Sequence, residues 1–304
     1  MTYYTGNAAS VSDLLDEIQS RAVANGWGLN SRSGEYLHLN TGGAYFHLRE
    51  NGTTLQCSVS SNYVPGQGIL GHANAPSALA NTAHGNLFTA PFSEYHIFAT
   101  SQYIHVVAQE AQLGMWVHMH FGLTENFTGL TWVAYTHTSG RYWTLTSAST
   151  IDPLSVNHTC PFYSGRHYPS YFSTGCNRNL VNANGTYYEP LLINYSSAGF
   201  GAQGRSWYST ENLLRNPSTF NQQTILFPMQ TDFEKVAYSK QYHPGGSYKD
   251  VRAIYMENYR AGDTITLGSD IWKIFPLCNQ FGNTTAGAYT PHTGNYGLAF
   301  LTNP

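Results

Sequence analysis

The first apolar pattern in the chain has helical spacing. One face of this segment carries apolar residues three and four positions apart, namely Leu14, Leu15, Ile18 and Ala22. Ser10 or Ser12 is suited to cap the N-terminus of a helix, because a hydroxyl accepts a hydrogen bond from a free amide of the first turn. Asn25 and Gly26 follow the last apolar position and favour helix termination. The sequence therefore predicts one amphipathic helix near the N-terminus.

The centre of the chain has the pattern of short strands. Residues 95–99, 103–108 and 115–122 are three apolar runs separated by only a few polar residues. Connections this short join antiparallel neighbours, because a parallel pair needs a long crossover. Residues 130–135 and 142–146 are expected to extend the same sheet.

Two β-hairpins are predicted outside this central block. Residues 44–50 and 53–59 flank Asn51-Gly52, a pair that tolerates the positive φ angles of a type I′ turn. Near the C-terminus, residues 263–267 and 271–276 flank a second turn at Gly268. A final strand is predicted at residues 296–301.

The periodicity weakens between residues 149 and 228, where Tyr, Asn, Ser, Gly and Pro dominate. We therefore divide the chain into a helix with an antiparallel sheet (1–148), a loop-rich insertion (149–228) and C-terminal strands that complete the same fold (229–304), as one or two domains. The fold class expected is mainly β, with sandwich-like antiparallel sheets, one N-terminal helix and long loops.

Composition narrows the classes of function. Only 10% of the 304 residues are charged, the net charge is −3, and 23 residues are Tyr. A chain with no basic excess is not expected to bind nucleic acid through phosphate neutralisation or to hold a polybasic membrane patch. Protein interfaces are enriched in Tyr and Trp and depleted in Lys, Glu and Asp. This composition favours a subunit covered by its neighbours, although a Tyr-rich monomer and a sugar-binding surface stay open.

The sequence gives no indication of export or membrane insertion. No run of 18 apolar residues occurs, and the start lacks the basic and apolar regions of a secretory signal, so folding in a cytoplasm is expected. Four cysteines at irregular spacing, Cys57, Cys160, Cys176 and Cys278, do not form a recognisable disulfide framework.

Two groups of residues have metal-ligand chemistry, and each has a simpler interpretation. His118 and His120 are two apart on a predicted strand, so they share one face, and Glu125 follows; the spacing resembles part of the first cupin motif, but the glycines of that motif are missing. The simpler interpretation is a pair of sheet histidines.

The second group, His158, Cys160, His167 and Cys176, lies within 19 residues but lacks a Cys-x2-Cys knuckle. A Cys160–Cys176 disulfide in an extracellular particle is an alternative. No nucleophile elbow, phosphate loop or dinucleotide fingerprint is present. The sequence therefore predicts no catalytic, cofactor-binding or metal-ligating residue and leaves open whether either group binds metal.

The central runs at 95–99, 103–107 and 116–122, together with the segments 25–29, 268–276 and 293–300, resemble a family of tailed-bacteriophage virion proteins. The resemblance covers both ends and the middle of the chain but not residues 149–228. It implies a non-enzymatic component of the tail or neck (collar, tail terminator or baseplate), assembled in the host cytoplasm with other tail or neck proteins. The N-terminal helix followed by a sheet is also similar to tail-terminator subunits, which form rings.

The expected function is therefore self-association into a symmetric ring, without catalysis, cofactor, nucleic-acid readout or membrane binding. An alternative is a receptor- or glycan-binding appendage protein, in which residues 149–228 present Tyr faces to sugars. A metal-dependent enzyme using His118, His120 and Glu125 is a third, lesser alternative.

Overall fold

The structure is a computed structural model. It describes residues 1–60, 62–69, 72, 89–112, 114–123, 133–140, 159–160, 163–164, 176–182, 226–235, 241–276 and 296–303. The described part is mainly β, as expected, with all paired strands antiparallel and one helix near the N-terminus.

The helix α1 (Val11–Ala24) begins and ends where the sequence predicts. Ser10, not Ser12, is the N-cap: its hydroxyl accepts from the Asp13 amide at 3.0 Å, while the Asp13 carboxylate accepts from the Ser10 amide at 3.0 Å. This reciprocal capping box satisfies two amides that the helix itself leaves free. Asn25 is the C-cap, and Gly26 follows at φ +88°.

A six-stranded central sheet forms the middle layer of the fold. Its strands, in spatial order, are β1 (Thr2–Ala8), β6 (Phe92–Ala99), β7 (Tyr103–Glu110), β8 (Trp116–Leu123), β9 (Val133–Gly140) and β12 (Cys176–Asn182). The expected meander of residues 95–122 is confirmed as β6–β8, and β9 continues it. Residues 142–146, predicted to extend the sheet, lie outside the described residues.

Two of these strands were not predicted. Residues 176–182, which the sequence places in the loop-rich insertion, form β12 and pair with β9. β1 pairs with β6 along its length, although the first residues carry no clear strand pattern. Tertiary pairing determines both strands, because neither alternates strongly enough to be recognised alone.

A four-stranded N-terminal sheet lies on one side of the central sheet. It consists of β2 (Gly28–Ser33), β3 (Tyr36–Thr41), β4 (Ala44–Asn51) and β5 (Thr54–Ser60). The predicted β4–β5 hairpin is confirmed, but its loop is Gly52–Thr53, and only Gly52 has a positive φ, at +61°. That pattern fits a type II′ turn instead of the expected type I′ turn.

A five-stranded C-terminal sheet lies on the other side. Its strands, in spatial order, are β13 (Phe227–Lys235), β14 (Gln241–Tyr255), β17 (Tyr296–Leu301), β16 (Asp270–Pro276) and β15 (Thr264–Leu267). The predicted hairpin at Gly268 and the final strand are both confirmed. The short strands β10 (Thr159–Cys160) and β11 (Tyr163–Ser164) pair only with each other.

Alternate residues of the central strands pack on opposite layers. Ile97 and Val106 belong to the core shared with α1 and the N-terminal sheet, whereas Phe98 and Val107 belong to the core shared with the C-terminal sheet. The rings of Phe98 and Phe300 stack across that second interface, 4.9 Å apart. Both faces of the central strands are therefore buried, which explains why these strands appear in the sequence as continuous runs of apolar residues interrupted only by histidines.

Candidate metal centre

Three histidines meet on the outer face of the N-terminal sheet. His38 on β3 and His47 on β4 are direct cross-strand partners. Both alternate with core leucines and phenylalanine, so they point away from the core shared with the central sheet. The segment after β5 folds back over this outer face, and Ser58 Oγ donates to the Ile69 carbonyl at 2.7 Å. This cover leaves His38 only 3% exposed and His47 fully buried.

The hydrogen bonds of this cluster determine which nitrogen of His47 and of His38 carries the proton. Ser60 Oγ donates its single proton to the Asn62 carbonyl at 2.5 Å, because a carbonyl can only accept. Ser60 Oγ therefore accepts from His47 Nε2–H, which lies 2.6 Å away. With both rings neutral, His47 Nδ1 then carries a lone pair and accepts from His38 Nδ1–H at 2.7 Å.

His72 joins the pair from the covering segment. Its ring stacks on His47 with centroids 3.7 Å apart and meets His38 edge-on at 5.4 Å. Its Nδ1 accepts from the Val64 amide at 3.1 Å, so this nitrogen carries a lone pair. One ring nitrogen of each of the three histidines lies within 4.8 Å of the other two.

Burial keeps the imidazoles of His38 and His72 neutral. It lowers the pKa of His38 to about 4, with a smaller contribution from the neighbouring His72. Burial also lowers the pKa of His72, opposed by a hydrogen bond to the Gly68 backbone. A neutral imidazole has one free lone pair, which is the form that binds a metal ion.

A second histidine cluster lies between the central and C-terminal sheets. His105 on β7 and His120 on β8 are again direct cross-strand partners. His105 Nε2 donates to the Lys249 carbonyl at 3.2 Å, so His105 Nδ1 accepts from His120 Nδ1–H at 2.9 Å. His118 Nε2 donates to the Pro276 carbonyl at 2.9 Å. These bonds join the central sheet to both β14 and β16.

The same interface holds two further polar contacts. The Tyr103 hydroxyl donates to Asp250 Oδ2. His96 Nε2 donates to Glu94 at 3.2 Å, so its Nδ1 accepts from the Tyr3 hydroxyl at 2.8 Å. Burial lowers the pKa of His96, and Glu94 opposes this effect. Of the histidines at this interface, His105 and His118 bond to the C-terminal sheet, whereas His96 and His120 bond to neighbours within the central sheet.

The structure describes only part of the two groups of potential metal ligands that the sequence indicates. His118 and His120 do share one face of β8, as the spacing predicts, and both are buried sheet histidines. Among the residues that the structure describes, they belong to no group of three potential ligands. Glu125 lies outside the described residues, as do His158 and His167. Cys160 and Cys176 are on β10 and β12, and the question of a metal or a disulfide there stays open.

The His38, His47 and His72 cluster was not predicted. The sequence carries part of the information, because His38 and His47 each occupy the outward position between two apolar residues on neighbouring strands of a hairpin. The third residue lies in a segment with no periodicity, where nothing in the sequence places it beside the other two. Only the fold-back of residues 62–69 and 72 brings the three rings together.

Comparisons with known proteins do not assign the chain to a family. No protein-family model matches the sequence, and no curated protein matches it either. No helix of the described segments is long and apolar enough to cross a membrane.

Proposed function

We propose that the chain is a structural subunit of a tailed-phage virion, which assembles with copies of itself into a ring in the tail or neck and performs no catalysis. The observation that carries this proposal is the uncharged outer strand of the C-terminal sheet, β15. Charge depletion and Tyr enrichment of the whole chain support it, because both are typical of surfaces that neighbours cover.

Strand β15 is a sheet edge with which a strand of another chain could pair. It is the outermost strand of its sheet among the described residues, and its sequence, Thr-Ile-Thr-Leu, has no charge and no proline. Leu267 is 44% exposed, and Ile271 on the adjacent β16 is 37% exposed. Monomeric proteins protect such an edge with lysine, proline, a bulge or a very short strand. The four residues of β15 include no lysine, proline or bulge, and its exposed Leu267 favours a neighbouring chain as its cover.

A contact between β15 and a different surface of the next copy would be heterologous. Contacts of that type form a ring when the rotation closes. The low charge of the chain favours such an interface, because burying ions in an interface has a large desolvation cost. Tail and neck components fit this mode of assembly.

Sedimentation velocity of the purified full-length chain tests the proposal. The wild type is expected to sediment as an oligomer of the 33.6 kDa chain over a range of concentrations. Thr266→Lys places a charge on the exposed edge of β15 and should shift the distribution to smaller species. Thr53→Lys makes the same change at an exposed hairpin turn of the N-terminal sheet and should leave the oligomer intact.

Two results would overturn the proposal. The first is a wild-type chain that stays monomeric at every concentration, and a monomer that bound specific sugars on a glycan array would favour the receptor-binding alternative instead. The second is the absence of the chain from purified phage particles analysed by mass spectrometry.

A further inference from the structure

We propose that His38, His47 and His72 form a binding site for a Zn²⁺-class transition-metal ion, which ties the segment after β5 to the outer face of the N-terminal sheet. The three ligands are imidazoles with no carboxylate among them. Imidazole suits zinc, copper, nickel and iron, whereas magnesium and calcium require oxygen ligands. This inference is independent of the assembly proposed above.

One of the three rings, that of His47, is already oriented as a metal ligand. A histidine that binds a metal almost always donates its other ring N–H to an outer partner, which fixes the tautomer and the ring plane. His47 Nε2–H is held by Ser60 Oγ at 2.6 Å, and Ser60 is itself fixed by the Asn62 carbonyl. The His72 ring is different, because its Nδ1 lone pair accepts from the Val64 amide at 3.1 Å. His47 Nδ1 therefore already directs a lone pair into the cluster, whereas the His72 ring must reorient before it can bind an ion.

The third ring holds a proton where the ion would bind. His38 Nδ1–H points at His47 Nδ1, and these nitrogens are 2.7 Å apart. When the ion binds, the His38 proton moves from Nδ1 to Nε2, so that both Nδ1 atoms donate lone pairs and the ring stays neutral. Two ligands at about 2.05 Å from zinc in tetrahedral geometry are about 3.3 Å apart. The two nitrogens must therefore separate by about 0.6 Å, which a small rotation of each side chain supplies.

His72 must also tilt. Its ring is nearly parallel to that of His47, at an interplanar angle of 12°, and two parallel stacked rings cannot both direct lone pairs at one ion. The ion then replaces the Val64 amide as the partner of His72 Nδ1. His72 lies beyond the end of β5, whereas His38 and His47 lie on β3 and β4. Coordination would therefore fasten the covering segment to the sheet.

Calorimetric titration of the full-length protein, with any affinity tag removed and the protein stripped with EDTA, tests this site. Zn²⁺ is expected to bind with one-to-one stoichiometry and Mg²⁺ not to bind. Ser60→Ala removes only the outer partner of His47 and should weaken Zn²⁺ binding about 10- to 100-fold. His72→Gln should abolish one-to-one binding while retaining a polar side chain.

The second histidine pair provides the matched control. His120→Gln disrupts a pair with the same Nδ1–Nδ1 bond but no third ligand among the described residues, so Zn²⁺ affinity should stay at the wild-type value. Thermal melting in EDTA confirms that each variant is folded before titration. Absence of binding in the wild type, undiminished binding in His72→Gln, or an equal loss in His120→Gln would each overturn the proposal and leave the assembly proposal unaffected.

Discussion

Acidification is expected to destabilise the fold through the histidines between the central and C-terminal sheets. Burial lowers the pKa of His105 to about 3 and that of His118 to about 4, in each case opposed by a hydrogen bond to a backbone carbonyl. Both side chains are almost completely buried, and the groups around this layer include Tyr103, His120 and Asp250. Protonation of either ring in the folded protein would place a charge in this buried layer, so the folded state disfavours it.

The sign and size of the effect follow from proton linkage. Each folded-state pKa lies below the ordinary histidine value of 6.5, so the unfolded chain binds more protons and stability falls as the pH decreases below about 6.5. Below pH 6.5 each histidine lowers the free energy of unfolding by about 1.4 kcal/mol per pH unit, which amounts to about 2 kcal/mol between pH 7 and pH 5. Together the two histidines lower it by about 4 kcal/mol, a large part of the roughly 5–15 kcal/mol that stabilises a typical protein.

Urea unfolding followed by tryptophan fluorescence measures this loss at pH 7.5, 6.5, 5.5 and 5.0, at one protein concentration. His118→Gln retains a donor for the Pro276 carbonyl but cannot be protonated, so its unfolding free energy should fall by about 2 kcal/mol less between pH 7 and pH 5 than that of the wild type. An unfolding free energy that does not change between pH 7.5 and 5.0, or an equal slope in the variant, would contradict this prediction.

Two further substitutions test local features, each by urea unfolding. Ser10→Ala should cost about 1 kcal/mol, because it removes the hydroxyl that caps α1, whereas Ser12→Ala should cost less than about 0.5 kcal/mol. Equal effects of the two would show that the capping box does not stabilise the helix. Gly122→Ala should cost more than about 2 kcal/mol, because φ is +131° and the new Cβ would lie 2.4 Å from the Gln102 carbonyl oxygen. Gly66→Ala, at φ +78° with open space around it, should cost only about 1 kcal/mol, and a smaller loss for Gly122→Ala than for this control would contradict the steric argument.

The sequence predicted the elements whose local pattern and tertiary environment agree. Helix α1 follows from its apolar spacing and its cap, and both hairpins follow from their turn residues. The final strand was predicted with its observed bounds, Tyr296–Leu301. In each case the residues that define the element are close together in the chain.

The sequence could not predict features that depend on distant pairing. Strand β12 becomes a strand by pairing with β9, and its own residues, Cys-Asn-Arg-Asn-Leu-Val-Asn, do not alternate. The third histidine of the candidate metal centre is brought in by the fold-back of an aperiodic segment. Local ligand spacing instead indicated His118 and His120; in the structure His118 bonds the central sheet to the C-terminal sheet, and His120 bonds to His105 within the central sheet.

Electron cryo-microscopy of the purified full-length chain tests the proposed assembly most directly. Closed rings are expected, in which β15 of each copy lies against the next copy and Leu267 and Ile271 are covered. Isolated 33.6 kDa particles, or rings in which β15 faces solvent, would contradict it.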